Sequence, residues 1–443
     1  MPLGTDPGPA EPGEFVFVDP KTIGRLVPAV LTLLLVVAYA ATAVGGPSPA
    51  PGAAAETARE GNPGSAAGHG EFDRQSLLRI RNPPLGLPEV SAPETNRPTI
   101  PKLRLGRKLF LDRRLSRNGT LSCAMCHVPE QGFTVNELQT SVGHEGKVLR
   151  RSAPTLLNVA YAGPFFHDGR EPSLDLQPFD VFLNPDEMAA PSLGALVEKV
   201  RALPDYAPLF ENAFRKRPTV ENIGQALGTY LRTLLSAGSP FDRWRFGGER
   251  EALSAAAKRG FERFTGKARC TQCHTIGDDH ALFTDHRFHD TGLGWYGSLG
   301  KGRSTGPIEV EIGPGLVAHL DQSSLQSVGD PPANDLGRYE VTHDPADRWR
   351  FKTPTLRNVS LTAPYMHDGS FPTLRGVVEF YNRGGHRHEG LDPVLHPLDL
   401  SEGEIDEIVA FLESLTGDNI DELIRDARSQ AIGNPVETGS AGR

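Results

Sequence analysis

Apolar residues recur at three- and four-residue spacing along Leu193–Phe214, Glu221–Ser236 and Glu251–Phe264, which predicts amphipathic helices there. Another begins at Ser401-Glu402-Gly403-Glu404, a capping box. Ile405, Ile408, Val409 and Leu412 then share one face, and Gly417 is a natural stop. Leu105-Gly106-Arg107-Lys108-Leu109-Phe110 reads as a shorter helix. Few stretches alternate with the period of two that a strand requires. The expectation is a mainly α fold. Two segments stand outside it. Leu26 to Val44 is an uncharged, mostly apolar run just long enough to span a bilayer. Residues 45 to about 72 are Gly-, Pro-, Ala- and Ser-rich with little to bury, so they read as a tether, with folded structure expected from about Asp73.

An internal repeat organises the body. Ala153–Leu174 aligns without gaps to Thr353–Leu374, and Pro154, Thr155, Leu156, Asn158, Val159, Pro164, His167, Asp168, Gly169, Pro172 and Leu174 all recur 200 positions later. Each copy follows a C-x-x-C-H run, Cys123-Ala124-Met125-Cys126-His127 or Cys270-Thr271-Gln272-Cys273-His274. From the histidine to the recurring H-D-G is 40 positions in the first unit and 93 in the second. Much of the excess falls in Gly297–Asn334, which reads as loop with short strands. The layout expected is 1–45 tail and anchor or signal, 46–98 tether and lead-in, 99–239 first unit, 240–430 second unit and 431–443 a disordered tail.

The two C-x-x-C-H runs use all four cysteines of the 443-residue chain. That spacing attaches c-type haem: each thiol adds to a vinyl group, and the adjacent histidine becomes the proximal iron ligand. A zinc site would bring its cysteine pairs within roughly 15–20 residues, and a redox pair has no need of the histidine. Two covalent haems are therefore expected, with no structural disulfide. A net charge of −9 and the absence of a basic cluster exclude nucleic acid as a partner. Haem attachment of this kind requires export, and the Leu26–Val44 run supplies it. Ala38-Tyr39-Ala40 and Ala41-Thr42-Ala43 suit signal cleavage, while Lys21 and Arg25 would hold the preceding end of an uncleaved anchor in the cytoplasm. Either way the body is periplasmic, tethered or free.

The sixth ligand of each iron decides between electron transfer and catalysis. His144 is a candidate in the first unit. In the second, Met366 and Tyr381 compete; beyond Met1, the other methionines are Met125 and Met188. Met366 stands at the repeat position of Phe166, which favours packing.

From about Leu105 to Gly417 the chain resembles the di-haem bacterial cytochrome c peroxidase and MauG family. The matching runs include L-G-R-K-L-F-L-D-R-R-L-S, C-A-M-C-H, S-V-G-H, A-P-T-L-L-N-V, N-P-D-E-M, D-L-G-R-Y-E-V-T and F-K-T-P-T-L-R-N-V-S-L-T-A-P-Y-M-H-D-G. The resemblance implies two cytochrome c-like haem domains, with hydrogen peroxide cleaved at the haem on His127 and electrons handled at the haem on His274. It places His144 as a resting-state ligand that swings away, Glu187 as the distal acid–base residue and Gln177 in the same pocket. Tyr381 falls where the peroxidases carry methionine and MauG-like members tyrosine. Two departures follow. The family's F-W-D-G-R is here Phe166-His167-Asp168-Gly169-Arg170, without the tryptophan. The inter-domain calcium positions match Ser152, Thr362 and Pro364, with serine where asparagine is common. The leading expectation is a peroxidase drawing electrons from a small cytochrome c or cupredoxin. A MauG-like oxidase of a protein substrate and a non-catalytic di-haem carrier are the alternatives, and a homodimer is left open.

Overall fold

The computed structural model describes residues 63–299, 307–313, 316–321 and 334–430. The Leu26–Val44 run, most of the tether and the 431–443 tail lie outside the described residues. Among the described residues no helix is long and apolar enough to cross a membrane.

The fold is mainly helical. The α-helices are α1 (Pro63–Arg81), α2 (Ile100–Leu111), α3 (Cys123–Cys126), α4 (Gln177–Leu183), α5 (Leu193–Ala202), α6 (Ala207–Phe214) and α7 (Val220–Leu231). Then come α8 (Pro240–Arg245), α9 (Ala255–Thr265), α10 (Leu293–Ser298), α11 (Tyr339–Thr342), α12 (Leu374–Asn382), α13 (Glu402–Glu413) and α14 (Ile420–Arg428). Strands β1 (Phe288–His289) and β4 (Phe351–Lys352) pair antiparallel, as do β2 (Pro307–Gly313) and β3 (Leu316–Asp321). The β2–β3 hairpin falls inside Gly297–Asn334, the stretch expected to carry short strands.

Two helix pairs frame the molecule. In the first, α2 crosses α7 so closely that a Cβ on Gly106 would lie 2.0 Å from the Ala226 carbonyl oxygen. In the second, α9 crosses α13, and a Cβ on Gly260 would lie 1.8 Å from the Glu407 carbonyl oxygen. Each pair has its own core. Phe110, Phe182, Phe210 and Tyr230 are buried in the first, Phe241, Phe264, Phe283 and Phe411 in the second. The repeat is equally exact in backbone. Asn158 and Asn358 both adopt left-handed φ (62° and 60°), as do Phe166 and Met366 (67° and 75°). Both Gly163-Pro164 and Ala363-Pro364 are cis.

Several boundaries differ from the expected ones. Helix α1 begins at Pro63, ten positions before Asp73; Pro is tolerated in a first turn, and the helix is anchored further on by buried Asp73, Ser76 and Ile80. The periodic run Leu193–Phe214 is two helices, because Leu203 is extended ahead of Pro204, as a residue before proline prefers. Helix α7 stops at Leu231, and Arg232–Ser236 continues as buried irregular chain. Side-chain amides replace the lost helix bonds there. Asn158 Nδ2 donates to Ser236 O at 2.8 Å, and Ser236 N donates to Asn158 Oδ1 at 2.9 Å. The capping box at Ser401 is present, but α13 ends at Glu413, before Gly417. The expected boundary at residue 240 is crossed by α14, since its Leu423 and Ala427 pack in the first core.

Candidate active site

One cavity of about 1860 Å³ runs through both units and is lined by Cys123, Cys126, His127, Cys270, Cys273 and His274. Small-molecule pockets usually measure roughly 300–1,000 Å³, so this one has room for two large ligands. Its two ends are built alike. His127 Nδ1 lies 3.1 Å from the Phe133 carbonyl oxygen, and His274 Nδ1 lies 2.8 Å from that of Phe283. Anchoring Nδ1 on a backbone acceptor fixes the tautomer and leaves Nε2 free for a metal. Burial pushes His127 down to about 4 and lowers His274 as well, so both imidazoles are neutral, as ligation requires.

Phe133 and Phe283 are positioning residues that sequence reasoning missed. Both rings are fully buried, yet both backbones are left-handed (φ 56° and 52°). The buried ring holds a conformation that costs about 1–2 kcal/mol outside glycine, and that conformation carries the carbonyl that holds the histidine. They lie six and nine positions after their histidines, and this unequal spacing hid the correspondence.

The four thiols do not converge. Burial pushes Cys123 and Cys270 up to about 12, which leaves them protonated and unlike zinc thiolates. Among the described residues the one group of three metal-ligating side chains is Cys273, Asp285 and His289. Its sulfur is an expected haem-attachment atom. The residues fit covalent haem better than zinc.

The distal side of the first motif comes from two loops pressed together. His144 N donates to Asp186 O at 2.8 Å, and a Cβ on Gly143 would lie 1.9 Å from that oxygen, so only glycine fits. This puts S-V-G-H against N-P-D-E-M. Glu187 and Gln177 line the cavity. Asn184 Nδ2 donates to Glu187 Oε1 at 2.8 Å. Burial pushes Glu187 up to about 7, against the field of Arg170. The His144 ring is buried but is not part of the cavity lining; its Nε2 lies 3.5 Å from Glu145 Oε1.

Around the second motif, Tyr381 and Met366 both line the cavity. Burial and the neighbouring Cys273 and Cys270 sulfurs raise the Tyr381 phenol. Ser152, Thr362 and Pro364 also reach the cavity wall. Ser152 O already accepts from His167 Nε2 at 3.0 Å, and Thr362 Oγ1 donates to Val359 O at 3.1 Å. His167, which stands where the tryptophan is missing, is half-buried between the units; loss of solvation pushes it down to about 4.

Comparison with known proteins decides the family. A family model described as di-haem cytochrome c peroxidase matches residues 101–251. The chain is 37% identical to the methylamine utilization protein MauG of Methylorubrum extorquens, over 87% of this chain and 96% of that protein. The chain belongs to the di-haem cytochrome c peroxidase family. It is also 35% identical to the cytochrome-c peroxidase IdrP1 of a Pseudomonas species, over 76% of this chain and 86% of that one. Among solved structures it matches a MauG-like protein associated with microbial copper homeostasis, at a TM-score of 0.62 and 30% identity, covering 76% of this chain and 95% of that one. A di-haem family implies two haems, which agrees with a cavity built twice over.

Proposed function

We propose that the chain is a periplasmic di-haem peroxidase, reducing hydrogen peroxide to water with electrons from a small redox protein. The haems would be held covalently through Cys123 and Cys126, and through Cys270 and Cys273, with His127 and His274 as proximal ligands. Bound at His127, the haem supplies the iron at which the O–O bond is broken. The chain's own part is proton management. Cleavage needs a proton moved from one peroxide oxygen to the other, and Glu187 stands in the cavity wall for that transfer. Its place in that wall, beside the Cys123 and Cys126 thiols and braced by Asn184, is the observation that carries the reading. Burial pushes it up to about 7, which suits a shuttle that must bind and release a proton near neutrality. Asn184 orients the carboxylate from one oxygen, and Gln177 lines the same wall. His144, on the adjoining loop, would be the ligand that joins or leaves this space. Glu187→Gln should slow the reaction with peroxide by roughly 10²–10⁴-fold with both haems retained. A normal rate in rapid-mixing kinetics would remove Glu187 from the mechanism.

A second reading, peroxide-driven oxidation of a protein substrate, is favoured by Tyr381. Phenolate ligation favours oxidised iron, whereas a thioether such as Met366 raises the potential. Tyr381→Phe should alter the spectrum of one haem and leave both attached; an unchanged spectrum rules out the ligand. A calcium between the units would draw on Ser152, Thr362 and Pro364. These offer carbonyl and hydroxyl oxygens and no carboxylate, so water would have to complete the six to eight ligands.

A further inference from the structure

Lys352 ends strand β4 in the wall of the shared cavity. Its backbone is fixed from both units. Lys352 N donates to His167 O at 2.8 Å, and its strand pairs with Phe288. The ammonium is less well provided for. Nζ donates to the Thr353 carbonyl oxygen at 3.0 Å, and among the described residues it has no ion-pair partner. The carboxylate whose field it feels, Asp285, is already committed to His289 Nε2 at 2.9 Å and to Arg287 N at 3.0 Å. Burial pushes Lys352 down to about 8, the sign of a cation short of solvation.

The repeat sharpens the contrast. Lys352 stands 200 positions after Ser152, so the first unit has no cation at this point. The first unit's Arg151, one residue earlier, is paired on both sides, with Asp168 and Asp335 each 2.6 Å away. A half-buried ammonium with no ion-pair partner is short of solvation, so its place on a cavity wall suits an anion inside the cavity. Haem brings two carboxylates. Lys352 belongs to the second end of the cavity: its strand partner Phe288 and the carboxylate of Asp285 both follow the His274 motif, and its charge is felt at His274 and His286.

We propose that Lys352 is the cationic anchor for a carboxylate of the second haem and holds that haem's reduction potential above the value its surroundings would otherwise give. A positive charge beside the macrocycle disfavours the ferric state relative to the ferrous one. It therefore opposes the pull of a Tyr381 phenolate. Lys352 would keep the second haem able to accept an electron from a donor although its ligand favours oxidised iron.

The inference rests on the two-haem reading, not on peroxide chemistry. Potentiometric titration of the purified di-haem protein, followed by visible absorption and without peroxide, tests it. Lys352→Met should lower the potential of one haem and leave the other unchanged, while Lys352→Arg should stay near the original value. Equal potentials in Lys352→Met and the parent, or equal shifts at both haems, overturn the proposal. If Lys352→Met does not take up both haems, Lys352→Gln is titrated in its place with the same expectation. Should neither neutral variant hold the second haem while Lys352→Arg does, the anchor is upheld. Failure of all three alike shows that charge is not what the position needs, and the proposal falls. Because no peroxide is added, a failed peroxidase reading leaves this result standing.

Discussion

Glu187 shows how one residue acquires a function from its setting. A glutamate in water titrates near 4.3 and would be a permanent base at neutral pH. In the cavity wall it is pushed up to about 7. The sign of the resulting pH dependence follows from its first task, which is to accept a proton. Only the carboxylate can do that, so the rate of peroxide reaction should rise with pH through about 7 and level off above it. Measured as a second-order rate constant between pH 5.5 and 8.5, the profile should lose that step in Glu187→Gln. A step that persists in the variant belongs to another group. Glu187 was legible in the sequence through the N-P-D-E-M run, whereas its acidity was not. The shift comes from burial, which outweighs the opposing field of Arg170 from a different turn, and no local pattern reports either.

At the scale of elements, the site depends on two helix crossings that chemistry-bearing motifs do not announce. Helix α2 precedes Cys123 and α9 precedes Cys270, so each crossing packs just ahead of a haem motif. Gly106 and Gly260 allow those crossings by letting one backbone touch another. The periodicity predicted the helices, and the capping box placed the start of α13 correctly. Nothing in the periodicity singles out Gly106 or Gly260, because a helix pattern carries no record of what will lie across it. Gly260→Ala should force α9 and α13 apart and cost about 1–3 kcal/mol, the usual range for overpacking. Gly403→Ala is the control: Gly403 lies in the first turn of α13, and an added Cβ meets nothing within 4 Å. There the substitution should be neutral or stabilise by about 0.5–1 kcal/mol. Thermal melts of both variants, loaded with haem, would separate close approach from helix propensity; equal effects would refute the crossing argument.

For the molecule as a whole, the question is what holds two haem units at one cavity. The repeat diverges at the junction. Leu157 is buried in the first unit, and its counterpart 200 positions later is Arg357, equally buried at 1% exposure. The Arg357 guanidinium makes two bonds of 2.9 Å to Asp242, donates to Ala281 O at 2.6 Å and reaches Gly86 O. It thus pins the lead-in segment, α8 and the second unit together. Beside it, Ser236 Oγ donates to Asn358 Oδ1 at 3.0 Å while its backbone pairs with Asn158, so the two repeat asparagines meet on one residue. A comparison of the two copies marks position 357 as divergent, but nothing in the sequence pairs it with Asp242, more than a hundred residues away. Arg357→Met leaves a buried carboxylate uncompensated and should cost about 3–5 kcal/mol. Adding Asp242→Asn removes the stranded charge, so the double variant should be more stable than the sum of the two single losses. Chemical denaturation of the four proteins in that cycle gives the coupling. Strict additivity would show that the two side chains are not coupled, so that the pair does not fix Arg357 for its reach to the lead-in. The contact between the two units themselves rests on the asparagine–serine cluster and the return of α14 to the first core.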